Sequence, residues 1–475
     1  YLGFTISIPG SIIANPGFID VFGTKTDPVT GAKALNAVHV SLWGGTQFIA
    51  QVVFQALSPL TSDRFGIKIN LYLLTGGMLI AIIIEIVAKN WAVFLVAKIF
   101  SGLAAAYIGT GVITYLTDIS IPPLRGALIA GFSFSFALGQ LFAAIGLQIL
   151  NQTNPWAFRH AFYSEFVLLG IWLVPCIILP ESPVWLSRKG YHDKAKKSLR
   201  FLIGNVEGYD LEHEYAVLQR EISESDRILE GDGNKSSQWL LVLKGTNLKR
   251  SLISALPLCI QSFVGVPLVL GYATYFFQIV GLDDVFTANL IVYAVLLFGI
   301  LCSFYLVERA GRRSLVLFGS TACGICVICI GALGTITSQS GSVGSALIAL
   351  SCVWVYSYAL SLAPIGWIFV GEVSTSGLRS KTAAFATLLS SLIQIVFSYT
   401  VPIMLSDQQA GWGLYIGFFF GGLTAIFVVV SYFYVPETKG RSSSELDELF
   451  ERGISCRKFA QTKTAVQLAR EQQGE

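Results

Sequence analysis

Charged residues in this chain come in matched sets, and the chemistry open to them is ion pairing. Ser62-Asp63-Arg64-Phe65-Gly66-Ile67-Lys68 is answered by Val307-Glu308-Arg309-Ala310-Gly311-Arg312-Arg313. Asp118 and Arg125 stand seven apart, and so do Glu372 and Arg379. Pro180-Glu181-Ser182-Pro183 returns as Pro436-Glu437-Thr438-Lys439. The offsets are 245, 254 and 256 residues, in one order. Each half thus gathers acids (Asp63, Asp118, Glu181; Glu308, Glu372, Glu437) and bases (Arg64, Arg125, Arg188; Arg309, Arg313, Arg379) on short loops. Such groups at a partly dehydrated interface pair with each other and with helix ends. Loop bases that merely reach for lipid headgroups would need no acids at matched spacing. The expected role is a latch, made when two halves meet at this face and broken when they part.

Other chemistry finds little support. Cys323, Cys326 and Cys329 repeat every three residues, yet no charged residue and no His lies between Ser314 and Val370. They read as thiols inside an apolar helix and not as metal ligands. No nucleophile, metal cluster or phosphate loop has a context suited to catalysis, so neither an enzyme nor a cofactor is expected. A few ionisable groups lie within apolar runs, among them His39, Glu85 and Lys98. Lys98 sits about two turns into its run and needs a partner, for which Glu85 is the best placed carboxylate. That pair is read either as structural or as a displaced proton switch.

The elements that must hold these groups follow from composition. Of 475 residues, 53% are hydrophobic and 13% charged, and mean hydropathy is +0.65. Soluble domains carry roughly 25% charged residues. A net charge of +3 also excludes a nucleic-acid binder working by phosphate neutralisation. This is an integral membrane protein. Apolar stretches long enough to cross a bilayer run at about 36–58, 69–88, 91–117, 124–150, 161–179, 252–279, 286–307, 314–336, 345–371, 381–404 and 411–434. Tyr1 to Phe18 reads as part of a twelfth, whose opening turns and preceding tail are expected to lie outside this sequence. Of 32 Lys and Arg, 27 fall on one side if 181–250 is cytoplasmic, which puts both chain ends there.

The expected plan is all-α: a six-helix half at 1–180, a cytoplasmic linker at 181–250, a second six-helix half at 251–435 and a cytoplasmic tail at 436–475. Duplicated six-helix halves are the architecture of secondary transporters. The linker alternates charged and apolar positions at helical spacing (Ala195, Leu199, Leu202; Leu211, Tyr215, Leu218), with Gly231-Asp232-Gly233-Asn234 as a flexible joint. A tail helix starts at Ser443, and beyond it the tail is expected to be disordered. Asn151-Gln152-Thr153 is a glycosylation sequon on the outer side.

The stretches SDRFGIK, DISIPPLRG, PESPVWL, VERAGRR, GEVSTSGLRSK and VPETKGRS resemble the sugar porters of the major facilitator superfamily, in order and across nearly the whole chain. Gly139-Gln140-Leu141, Gly271-Tyr272-Ala273-Thr274-Tyr275-Phe276-Phe277 and Arg457-Lys458-Phe459 are similar to the fungal α-glucoside (maltose permease-like) branch. The resemblance implies two six-helix halves that carry a sugar by alternating access, by proton symport or facilitated diffusion. A non-transporting sensor, or a carrier of a non-sugar solute such as an organic acid, is the alternative. It further implies a monomer in the plasma membrane, with the solute, the bilayer and protons as its partners.

Departures from the family pattern are as informative. Thr5 stands where proton-driven members carry Asp, Lys98 replaces Arg in the fourth span, and Ser133 replaces the sugar-contacting Gln of the fifth. In the seventh span the pattern becomes Gln261, Ser262 and Pro267, and in the tenth Ala363-Pro364…Trp367. Amides and hydroxyls pair with sugar hydroxyls, and aromatic faces pack on C–H surfaces. The expected substrate residues are therefore Gln261, Tyr272 and Tyr275, with Gln140 and Trp367. Pro257, Gly265, Pro267 and Gly271 make the seventh span the most breakable, as a gate must be.

Overall fold

A computed structural model describes residues 1–26, 33–119, 125–204, 210–230, 242–243, 245–279, 284–336, 341–373, 379–406, 409–441, 443–464 and 467. It is an assembly of helices with a single hairpin, Lys25–Thr26 against Lys33–Ala34, between the first two spans. The spans are Leu2–Ser11, Ala37–Phe65, Lys68–Val87, Trp91–Ile119, Arg125–Thr153, Arg159–Ile178, Gly245–Ile279, Val285–Ala310, Arg312–Leu333, Gly341–Val373, Arg379–Leu405 and Ile416–Tyr434. Each overlaps its expected range, with ends that differ by seven residues at most.

Three of them are interrupted, each for a local reason. The first ends near Ser11 and is followed, after a 79° bend, by a helix over Pro16–Phe22. The Asn15 side chain accepts from the Phe18 N–H, and Pro16 takes the first helical position, where its missing donor costs nothing. Phe18 and Phe22 are buried and pack on Trp43, Phe94 and Phe158. The seventh breaks after Phe263: Gly265 has φ +103°, and a wide turn over Pro267–Gly271 closes with the Tyr272 N–H donating to the Pro267 carbonyl at 3.0 Å. The tenth breaks at Ser361, where Pro364 has no N–H for the carbonyl four residues back.

Nine spans pass a hydropathy test on their own, and the first passes together with the bent segment that follows it. The second and seventh do not. The seventh opens on polar Asn247, Lys249 and Arg250 before it breaks, and the second carries Gln47, Gln51 and Gln55. Too polar for lipid on every side, the second span must turn one face into the bundle. It packs against the eleventh, and the fifth packs against the eighth, so both contacts join the two halves.

Beneath the bundle the described linker residues include the helices Pro183–Arg188, His192–Ile203 and Leu211–Glu230. Their apolar faces meet in a small core of Leu186, Ala195 and Tyr215, as the spacing of the apolar positions requires. Lys196 and Glu212 pair at 2.6 Å, and the bond the ammonium donates to Glu212 lifts it above its ordinary range. The expected joint at Gly231-Asp232-Gly233-Asn234 lies outside the described residues. The tail helix Ser443–Glu451 is docked through Arg250–Asp447 at 2.5 Å and the Phe450–Phe459 contact at 5.0 Å. The tail is packed as far as Thr464, which is buried and donates to Glu445 at 3.0 Å. Disorder was the wrong expectation for that stretch, because Phe450 and Phe459 supply the apolar surface that holds it.

Candidate functional site

Between the halves lies a cavity of about 420 Å³. Gln140, Gln261, Tyr272 and Trp367 line it, as expected. Tyr275 does not: it is buried among other residues of the core. The wide turn at Pro267–Gly271 resets the helical phase, and only the first of the two tyrosines is left facing the cavity. The Tyr272 hydroxyl is bonded to Ser398 of the eleventh span, donating to its carbonyl at 2.9 Å.

Gln261 is held at both ends of its amide by the tenth span. Its Nε2 donates to the Leu362 carbonyl at 3.0 Å, and its Oε1 accepts from the Tyr358 hydroxyl at 2.8 Å. Gly366 makes this possible, since a Cβ there would lie 2.4 Å from Nε2. Five residues beyond Leu362 toward the linker end, Trp367 meets Phe132 of the other half edge-on at 5.9 Å. An oriented amide and an aromatic face in one cavity are groups that hydroxyls and C–H surfaces can use.

Several lining residues were not anticipated. Gln47, Gln51 and Gln55 come from the second span, and Ser391, Gln394 and Ser398 from the eleventh. The available sign was three glutamines at four-residue spacing inside an apolar run.

Deeper in the first half, Lys98 and Glu85 pair at 2.8 Å, with the ammonium 4.5 Å from the Phe94 ring centre. Both are buried, at 3% and 2% exposure. A third ionisable group joins them. Glu165 of the sixth span is fully buried, interacts electrostatically with Glu85 and Lys98, and has no hydrogen-bond partner on either oxygen among the described residues. Lys98 lines the cavity, whereas the two carboxylates lie behind it. Thr5, in place of the acid the family pattern carries there, donates to the Tyr1 carbonyl at 3.2 Å.

The charged motifs at the linker end obey the repeat in atomic detail. Glu181 accepts from the N–H groups of Ile67 (3.0 Å) and Lys68 (3.1 Å), capping the third span. Glu437 accepts from those of Arg312 (2.9 Å) and Arg313 (3.1 Å), capping the ninth. The Ser182 hydroxyl donates to Asp118 at 2.7 Å, and the Thr438 hydroxyl to Glu372 at 2.6 Å. Lys68 donates to the Ile177 carbonyl at the end of the sixth span, and Arg313 to the Val435 carbonyl at the end of the twelfth. Arg309 lies over the Tyr305 ring at 4.4 Å, and Arg64 over Phe65 at 5.4 Å. Asp63 and Arg188 are exposed at the same face.

All these bonds stay within one half. The side chains of Arg125, Glu308 and Arg379 lie outside the described residues. One base was missed: Arg312, and not Arg313, pairs with Glu372, at 3.1 Å.

Hydrogen bonds that cross between the halves include several in the middle of the bundle and at the end away from the linker. Gln148 donates to Thr287 at 2.7 Å, Ser7 to Tyr293 at 3.2 Å, and Thr274 to the Ser11 carbonyl at 3.2 Å. Ser391 donates to Gln55 at 3.1 Å. Partial burial alone would raise the Asp284 carboxyl, but bonds from Thr287 and Gln148 outweigh it and hold the group below its ordinary range.

Comparison with known proteins agrees with this arrangement. Residues 2–450 match the family model described as sugar (and other) transporter. The general alpha-glucoside permease of Saccharomyces cerevisiae is 32% identical over 474 residues, covering 97% of this chain and 74% of that protein. The maltose permease MAL31 of the same yeast is 30% identical over 472 residues, covering 97% and 75%. In fold, the chain is similar to the xylose transporter XylE from E. coli in a partially occluded inward-open conformation, with a TM-score of 0.72 at 19% identity over 93% of this chain and 96% of that one. Another structure of XylE, described as a proton:xylose symporter, gives 0.71 at 20% identity over 94% and 98%. With duplicated six-helix halves around an amide-lined cavity, the chain belongs to the sugar (and other) transporter family and has the major facilitator fold.

Proposed function

We propose that this sugar transporter carries an α-glucoside by alternating access, with a proton bound and released at the Glu85–Lys98–Glu165 cluster. The observation that carries the sugar reading is the cavity: one amide held in place, an aromatic plate, and further amides without protein partners, all between the halves. Similarity to the alpha-glucoside and maltose permeases supports the substrate class. Coupling rests on charge. One buried cation faces two buried carboxylates, so the cluster has room for one proton beyond the Lys98–Glu85 pair. The description of XylE as a proton symporter favours the same reading.

In this reading residues 1–180 and 251–435 rock as units, and both ends of the chain face the cytoplasm at the plasma membrane. The protein works as a monomer. Glu181 and Glu437 hold each half together as the halves tilt, and the latch across the cytoplasmic face falls to Arg125, Arg379 and their acidic neighbours.

Uptake of labelled maltose, sucrose, trehalose, glucose and quinate in a transport-null host tests the substrate class. Accumulation of an α-glucoside is expected, and collapse to the equilibrium level when a protonophore is added. Accumulation that ignores the protonophore removes the coupling; uptake of quinate alone removes the sugar. Gln261→Ala and Trp367→Ala are expected to raise KM about tenfold each, a lost hydrogen bond or stacking face being worth about 1 kcal/mol or a little more. Surface amounts should be unchanged.

A further inference from the structure

The wall of the cavity built by the second span carries a row of amides that the Gln261–Trp367 corner leaves unused. Gln47, Gln51 and Gln55 stand four residues apart, so helix geometry stacks them on one face at intervals of about 6 Å. All three line the cavity. Gln55 is buried, and its bond to Ser391 fixes the inner end of the row against the eleventh span. Gln47 and Gln51 make no side-chain hydrogen bond among the described residues, and neither does Gln394 of the eleventh span. An amide without a partner is expensive inside a membrane unless water or a ligand reaches it.

An amide offers two donors and an acceptor, the complement of a hydroxyl that donates and accepts at once. The row extends over about 12 Å along the axis, more than one pyranose ring can use. The adjoining wall, built by the eleventh span that packs on the second, is hydroxylic, with Ser391 and Ser398 flanking Gln394. No charged side chain stands in the row, and Lys98, the charged residue in the cavity lining, is already paired with Glu85 at 2.8 Å, so the ligand the row fits is neutral and rich in hydroxyls.

We infer that Gln47 and Gln51, beside Gln394 on the adjoining eleventh span, form a second glycosyl subsite, which holds the other ring of a disaccharide whose first ring sits at Gln261 and Trp367. This rests on the sugar reading above and narrows it: the chain prefers a linked pair of rings to one. A carrier for single rings needs the Gln261–Trp367 corner alone.

Gln47→Leu, Gln51→Leu and the double variant, produced from the intact gene in a transport-null host and normalised to surface amount, provide the test. Maltose is the two-ring probe, and methyl α-glucoside, as a competing inhibitor, is the one-ring probe. The double variant is expected to raise KM for maltose about tenfold while the inhibition constant of methyl α-glucoside moves by less than about threefold. Equal shifts for both probes mean that the row only hydrates the cavity and overturn the inference, as does an unchanged maltose KM. A wild-type chain that binds neither probe overturns the sugar reading itself, a different result. Should leucine keep the protein from the membrane, Gln47→Asn with Gln51→Asn retains polarity while withdrawing the amides, and the same split between probes decides.

Discussion

Lys98→Met is expected to abolish gradient-driven accumulation and lower thermal stability, whereas Glu165→Gln is expected to abolish accumulation and leave the fold intact. The argument starts from charge. Lys98 is the cation of a buried cluster with two carboxylates, bonded to Glu85 at 2.8 Å and interacting with Glu165 through space. Removing one partner of a buried ion pair leaves an uncompensated charge, at a cost of about 3–5 kcal/mol. That is a large share of the roughly 5–15 kcal/mol that holds a folded domain together. The only relief is for both acids to take up protons, and a site locked in that state no longer exchanges them. Glu165→Gln behaves differently. The Lys98–Glu85 pair survives, charge balances, and the carboxamide fills the same space, so the thermal midpoint in detergent should stay near that of the wild type. What disappears is the second acid. Exchange of sugar down its gradient should persist while accumulation falls to the equilibrium level. Accumulation at wild-type levels in Glu165→Gln means that the cluster is structural and the coupling lies elsewhere.

Much of this architecture was legible in the sequence, because membrane helices and repeats are written in long-range patterns. Length and apolarity mark the spans, and offsets near 250 mark the duplication. The Glu85–Lys98 pair was legible too, since a lysine two turns into a span must find a partner. Single-residue phase was not. Arg312 and Arg313 are neighbours, and which one meets Glu372 depends on how Gly311, at φ +83°, turns the chain into the ninth span. Tyr272 and Tyr275 are one turn apart, and the wide turn before them decides which faces the cavity. Glu165 escaped notice because it stands alone, two turns from Arg159 in an apolar stretch, and its importance appears only when the third and fourth spans pack beside it. The glutamine row was readable as a period of four among polar residues, but the spans were found from their apolar ones. A polar stripe inside a hydrophobic run carries information that the hydropathy average discards.

Gly66→Val and Gly311→Val are the other substitutions with large expected effects, and the two differ in an instructive way. Both glycines have positive φ, +103° and +83°, a region in which a β-branched residue is an outlier. A Cβ at Gly66 would lie 2.2 Å from Glu181 Oε2, and one at Gly311 2.6 Å from Glu437 Oε2. The carboxylate must leave, and two N–H groups at a helix start lose their acceptor. Backbone strain of about 1–2 kcal/mol and one or more orphaned donors at about 1–3 kcal/mol each give a loss of several kcal/mol. Glu181→Gln and Glu437→Gln keep an acceptor oxygen and should cost only about 1 kcal/mol. Thermal midpoints should therefore fall further for each glycine variant than for its glutamine counterpart, in both halves. Wild-type midpoints for the valine variants would remove the clamp. The halves part company in coupling. The third span, which Glu181 caps, carries Glu85 roughly 26 Å further along its axis, so loosening its start shifts a member of the proton cluster. The ninth span, which Glu437 caps, carries no acid. At a temperature where both valine variants remain folded, Gly66→Val should lower the ratio of accumulation to exchange, and Gly311→Val should slow both together.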